Sequence, residues 1–248
     1  YTYYSDSPED DAKNRGLAGA GMRITTQIWK IDNDAQSDLF DIHRVRHIIE
    51  PQINLWTSAT NVDPNKLYLY DELIDKEYDT TALQLALHQT WQTKRGGPGN
   101  YRSVDFFTFN VEANLYNNQP KNIYLIPNGF RGIFYHSLPA ASIPRNSINA
   151  DASWRVIDST IVLSDAQYNL DDQDLATASV GLIAQRGPRV TYYLGFRYIN
   201  PLDSDIATIA ATYQLTSKYS VGFQQSFDFG SNADVYTSVT LQRKFDRF

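Results

Sequence analysis

Four histidines, at 43, 47, 88 and 136, are the first candidates for chemistry in this chain. On a helix, His43, His47 and Glu50 would share one face and suit a metal ion. Yet Ile48, Ile49, Pro51, Ile53 and Leu55 read as a strand, and Pro51 would break a helix. On a strand His43 and His47 share a face but stand about 13 Å apart, too far to hold one ion. There is no cysteine, so disulfides and thiolate sites are excluded. No Gly-x-Ser-x-Gly elbow or phosphate loop occurs. Gly96-Gly-Pro-Gly-Asn100, flanked by Lys94, Arg95 and Arg102, reads as a turn. Carboxylate pairs gather in segments between strands. No catalytic residue, metal or cofactor is expected.

The elements that would carry these side chains alternate. In Tyr219–Phe229 the residues Tyr219, Val221, Phe223, Gln225, Phe227 and Phe229 share one parity, opposed by Ser220, Gly222, Gln224, Ser226 and Asp228. Successive strand residues point to opposite faces, so one face is apolar and the other wet. Val235, Thr237, Val239, Leu241 and Phe245 repeat the pattern, as do 207–215, 192–198 and 176–184. Upstream it continues through Phe107–Leu115, Leu83–Trp91, Met22–Ile28 and Arg46–Trp56, with weaker strands near 131–138, 150–157 and 160–168. Each run approaches the ~9–11 residues that cross a bilayer at a tilt. The expected fold is all-β: an antiparallel transmembrane β-barrel of about twelve strands, residues 1–248 forming one segment of it.

The wet faces separate barrel from soluble sandwich. They hold Thr, Ser, Asn, Gln, Gly and Tyr rather than Lys and Glu, with Arg23, Glu112, Arg197 and Gln224 expected to face the lumen. Neutral polar groups suit a crowded wet interior, where unpaired charge is costly. With 22 Lys and Arg against 28 Asp and Glu, the net charge of −6 argues against a nucleic-acid partner. The 17 Tyr, 12 Phe and 4 Trp suit interfacial girdles. Placing the C-terminus on the periplasmic side makes 158–159, 186–188 and 216–218 short inner turns. The longer 169–174 and 200–204 then lie outside, in an outer membrane, with the short Gly230-Ser-Asn-Ala233 the one exception on that side. The opening Tyr1-Thr2-Tyr3-Tyr4 has neither an initiator Met nor a signal segment, as expected of a processed chain or the C-terminal piece of a longer one.

The segment His43-Arg-Val-Arg-His-Ile-Ile-Glu-Pro-Gln-Ile-Asn-Leu55 resembles the Arg-x-His-x-x-Glu-Pro stretch of the lipopolysaccharide-assembly outer-membrane proteins, the LptD family. The matching positions are Arg44 or Arg46, His47, Glu50 and Pro51. Asp203–Phe223 is similar to that family's late hairpin, and Ala152-Ser-Trp154 and Tyr192–Tyr198 follow in similar order. The resemblance implies a barrel that encloses a plug lipoprotein and is fed by periplasmic bridge proteins. Lipopolysaccharide, or a related glycolipid, would leave through the wall between first and last strands. Residues 1–248 would then be the C-terminal half of that barrel, without the family's N-terminal periplasmic domain. The strand Val235–Phe245 would border the opening and carry the signal for the barrel-assembly machinery, with Phe245 its in-register aromatic. This chain departs from the family in lacking cysteines for inter-domain disulfides. Two other functions compete: a passive outer-membrane porin or channel, and a soluble carbohydrate-binding β protein. Pro51 itself reads as a bulge or edge position.

Overall fold

The computed structural model describes residues 1–68, 78–97, 99–118 and 145–245. The expected strand at 131–138 lies outside them. Two short strands, β1 (Thr2–Tyr4) and β2 (Lys13–Arg15), pair in a hairpin that the alternation does not reveal. The remaining strands are β3 (Leu17–Thr25), β4 (Ile28–Ser37), β5 (Ile42–Thr60), β6 (Thr80–Arg95), β7 (Arg102–Tyr116) and β8 (Ser147–Ile157). They continue with β9 (Thr160–Asn169), β10 (Asp174–Arg186), β11 (Val190–Ile199), β12 (Ser204–Gln214), β13 (Tyr219–Asp228) and β14 (Ala233–Arg243).

These twelve strands form one antiparallel sheet in which neighbours in space are neighbours in sequence, except that β3 pairs with β5 beyond the intervening β4. The expected single strand over Met22–Ile28 is interrupted. β3 pairs with the second half of β5 and β4 with the first half, so the two lie end to end. The break at Thr26 and Gln27 faces Glu50 and Pro51. Pro51 has no N–H to give the ladder, and its carbonyl accepts from the Thr26 amide at 3.3 Å.

Burial is inverted relative to a soluble sandwich. On the polar face Gln84, Asn114, Asn149 and Gln167 are buried, while Leu85, Leu194, Ile209 and Phe223 on the apolar face lie open. A sheet curls towards the face whose side chains crowd together, so the polar side is the inside of the curve. Water would leave that outer apolar belt unsatisfied, whereas hydrocarbon suits it. The fold is an antiparallel transmembrane β-barrel wall, and the membrane that such walls cross is an outer membrane.

Two aromatic rings flatten the inner face over glycines. Trp56 lies over Gly19 and Gly21, where an added Cβ would come within 2.7 and 2.8 Å of the indole. Tyr193 covers Gly195 and Gly181, and a Cβ at Gly195 would overlap its hydroxyl. These cross-strand covers pin the register. Gly195→Val should therefore cost roughly 1–3 kcal/mol through overpacking, read by urea unfolding in detergent micelles. Adding Tyr193→Ala should restore part of the loss. No recovery in the double variant would show that the ring is not the obstacle.

Candidate functional site

The short turns gather at one rim with the end of β14: 38–41, 96–101, 158–159, 187–189 and 215–218. The connections 61–79 and 117–146 leave the opposite rim, together with 170–173, 200–203 and 229–232. By the usual asymmetry of such barrels the short-turn rim is periplasmic. There Arg95, 1% exposed, donates to the Phe40 carbonyl at 3.1 Å, the Arg155 carbonyl at 2.8 Å and the Val156 carbonyl at 3.1 Å. It also meets Asp158 Oδ1 at 3.3 Å, while Arg102 pairs with the other carboxylate oxygen. Partial burial opposes ionisation of Asp158, but the Arg102 and Arg95 guanidinium groups outweigh it and hold the carboxyl below its usual range. One arginine thus ties three turns together.

At the opposite rim the β1–β2 hairpin packs on the segment after β5. Arg15 reaches Thr60 at 3.3 Å, the Asn61 carboxamide accepts from Gly16 at 2.6 Å, and Lys66 meets Glu9 at 2.9 Å. Hydrogen bonds from Lys13 and Lys66 lower the Glu9 pKa, and those from Lys13 and Ser7 lower that of Asp11.

Between the rims, the inner face carries ordered rows. In one, Arg23 donates to Asn54 at 2.8 Å, Asn54 to Gln84 at 2.5 Å, and Gln84 to Asn114 at 3.0 Å. The next row aligns Glu112 with Asn149 and Gln167. A third runs Glu50, His88, Asn110, Asp151, Asp165, Ser179 and Arg197 across consecutive strands β5 to β11. Its links are Thr25 to Glu50 at 3.2 Å, His88 to Asn110 at 3.1 Å, Asn110 to Asp151 at 2.9 Å and Ser179 to Asp165 at 3.3 Å. His88 Nε2 also lies 3.7 Å from Glu112. Asp151 and Asp165 are direct cross-strand partners, a like-charge placement that costs stability.

The sequence candidates divide between the faces. Arg23, Glu112, Arg197 and Gln224 stand at inner-face register positions. Glu50 joins them, whereas His47 points outward and stacks on Trp91 with ring centroids 4.1 Å apart. Trp91 in turn meets Phe107 at 5.1 Å. Arg46 turns inward and lies over Trp29 at 5.0 Å. His43 and His47 do not share a face, contrary to expectation. A bulge between His43 and Val45, with Arg44 at φ 61°, flips the parity, and His43 instead meets Asp41 at 3.2 Å. Among the described residues no cluster of His, Asp and Glu could hold a metal.

On β14, Thr237, Val239 and Leu241 oppose outward residues of β13, and Val235 falls in a bulge facing Ser226 and Phe227. Phe245 lies beyond the strand with Arg243 over its ring at 4.6 Å. The sequence does not mark Asp151 and Asp165, because their strands alternate weakly. Leu163 and Ile161 share the inner face with Asp165 and blur its polarity.

No family model and no curated protein matches the chain. Among solved structures it is similar to a triple mutant of Rhodopseudomonas blastica porin, with TM-score 0.38 and 9% identity over 95% of this chain and 92% of that one. A second triple mutant of the same porin gives TM-score 0.38 and 8% identity over the same shares. A structure described as "Asymmetric conductivity of engineered proteins" gives TM-score 0.37 and 9% identity over 98% and 95%. At such low similarity the likeness assigns neither family nor function.

Proposed function

We propose that this wall lines an outer-membrane conduit for small hydrophilic solutes, with a preference for cations. The observation that carries the reading is the inner row in which Asp151 faces Asp165, with Glu112 on the adjacent strand and Glu50 three strands further along the same row. Like charges set opposite each other oppose folding, and an acidic row along a pore favours cation passage. Arg197 and Arg23 stand at the ends of the rows and leave the middle to the carboxyls. The protein in planar bilayers should conduct potassium in preference to chloride. Asp151→Asn with Asp165→Asn should lower that preference several-fold while the protein still assembles. Anion preference, or an unchanged ratio in the double variant, would remove the basis of the reading.

Lipopolysaccharide insertion is the second reading. It rests on the resemblance of the segment around His47, Glu50 and Pro51, and on the interrupted edge opposite Pro51, a point where the wall pairs weakly. Its partners would be a plug lipoprotein, periplasmic bridge proteins and the barrel-assembly machinery. The acidic row opposes it, because the phosphates of such a glycolipid are themselves anionic. Depleting the full-length protein decides between them. Loss of surface lipopolysaccharide favours insertion, and loss of small-solute uptake with lipopolysaccharide intact favours the conduit.

A further inference from the structure

β3 and β4 lie end to end, so among the described residues the twelve strands cross the wall only eleven times. An up-and-down sheet with an odd number of crossings has two edges that run the same way. β3–β4 descends from the long-loop rim to the turn at 38–41, and β14 descends from 229–232 to the rim that holds 215–218. Bringing these edges together would create a parallel pair, whereas every pair in the sheet is antiparallel. Bacterial single-chain barrels have even strand numbers for this reason.

Both edges are open. Nearly every residue of β3 and β14 is exposed on both faces, while polar residues of β6 to β9 are buried. No ladder joins β14 to β3 or β4 among the described residues. β14 also lacks the devices that protect a free edge. Ala233–Arg243 contains no Pro, Gly or Lys, and only Asp234 and Arg243, near its ends, are charged. A long, uncharged edge of this kind is a template for another strand.

We propose that the two edges are joined by an odd number of further transmembrane strands, supplied by the same polypeptide outside residues 1–248. The strands beside the two edges would run opposite to β14 and to β3–β4. The same polypeptide is favoured because each crossing of the sheet lies beside the crossing next to it in sequence. A strand preceding β3 would lie beside it, with residues 1–16 as the long-rim connection, and a strand following β14 would lie beside β14. A second copy fits less well. Two copies arranged about the barrel axis would again place β14 beside a β3 running the same way. This inference rests on the transmembrane-wall reading but not on the solute.

Residues 1–248 contain no cysteine, so within them only an engineered pair can form a disulfide. The test uses the complete natural polypeptide containing residues 1–248, inserted in outer-membrane vesicles and carrying Arg23→Cys with Thr240→Cys. No disulfide should form within or between chains, and β14 amides should exchange hydrogen far more slowly than in residues 1–248 alone. A 23–240 bridge within one chain would mean direct parallel closure, and bridges between chains would mean pairing of copies. Either result overturns the proposal. So does a complete polypeptide whose β14 amides exchange as fast as those of the segment. Conductance of the same vesicles reports separately on the solute reading.

Discussion

Leu194→Arg is expected to destabilise the membrane-inserted protein by about 2–4 kcal/mol, because the outward mid-strand position meets hydrocarbon. Leu194 is 50% exposed in a strand that runs Val190–Ile199, although its side chain is wholly apolar. Gln224→Arg, on the inner face of β13 opposite Ala210 and Ser238, should cost far less, since that guanidinium reaches water. Urea unfolding in lipid vesicles, followed by tryptophan fluorescence, gives both values. Equal costs at the two positions would mean that neither face meets hydrocarbon.

Arg95→Ala is expected to cost about 3 kcal/mol, since three carbonyls and Asp158 lose a buried donor together. The affected elements are the turns at Phe40, at Arg95–Arg102 and at Asp158, so the loss should appear as faster hydrogen exchange at the periplasmic rim alone. The pH dependence has a definite sign. Asp158 has a lowered pKa in the folded state. Its contribution is present above the unfolded value of about 3.9 and fades as pH falls through the folded one. Acid should therefore narrow the stability gap between wild type and Arg95→Ala. A gap independent of pH would place the loss in the carbonyl contacts rather than the ion pair. Exchange that quickens equally at both rims would contradict the local role.

Alternation made most of this wall legible. Strands such as β11 and β13 separate apolar from polar side chains well enough, Gln225 apart, that parity places their residues on a face. What parity cannot supply is where the count slips. The bulge at Arg44 moves His43 to the opposite face from His47, and the bulge before Phe227 takes Val235 out of the β14 series. Neither position carries a glycine to announce it. The break opposite Pro51 was half visible: proline forbids a ladder bond, but does not say which partner strand would be cut. The β1–β2 hairpin and the Arg95 network were invisible because they depend on long-range carbonyl and side-chain contacts. The acidic row was hidden for a related reason. Glu50, Asp151 and Asp165 are scattered along the sequence and fall into one row only through the register of five strands.

Cysteine scanning of Val190–Ile199 with a fluorescent label is the most direct test of the transmembrane wall. In vesicles, labels at 192, 194, 196 and 198 should be quenched by lipid-borne quenchers, and those at 191, 193, 195 and 197 by aqueous ones. The two series should alternate without a break, because no bulge interrupts the pairing of β11 with β10 or β12. Aqueous quenching at every position, in a protein that stays monomeric without detergent, would contradict a wall whose outer face meets lipid.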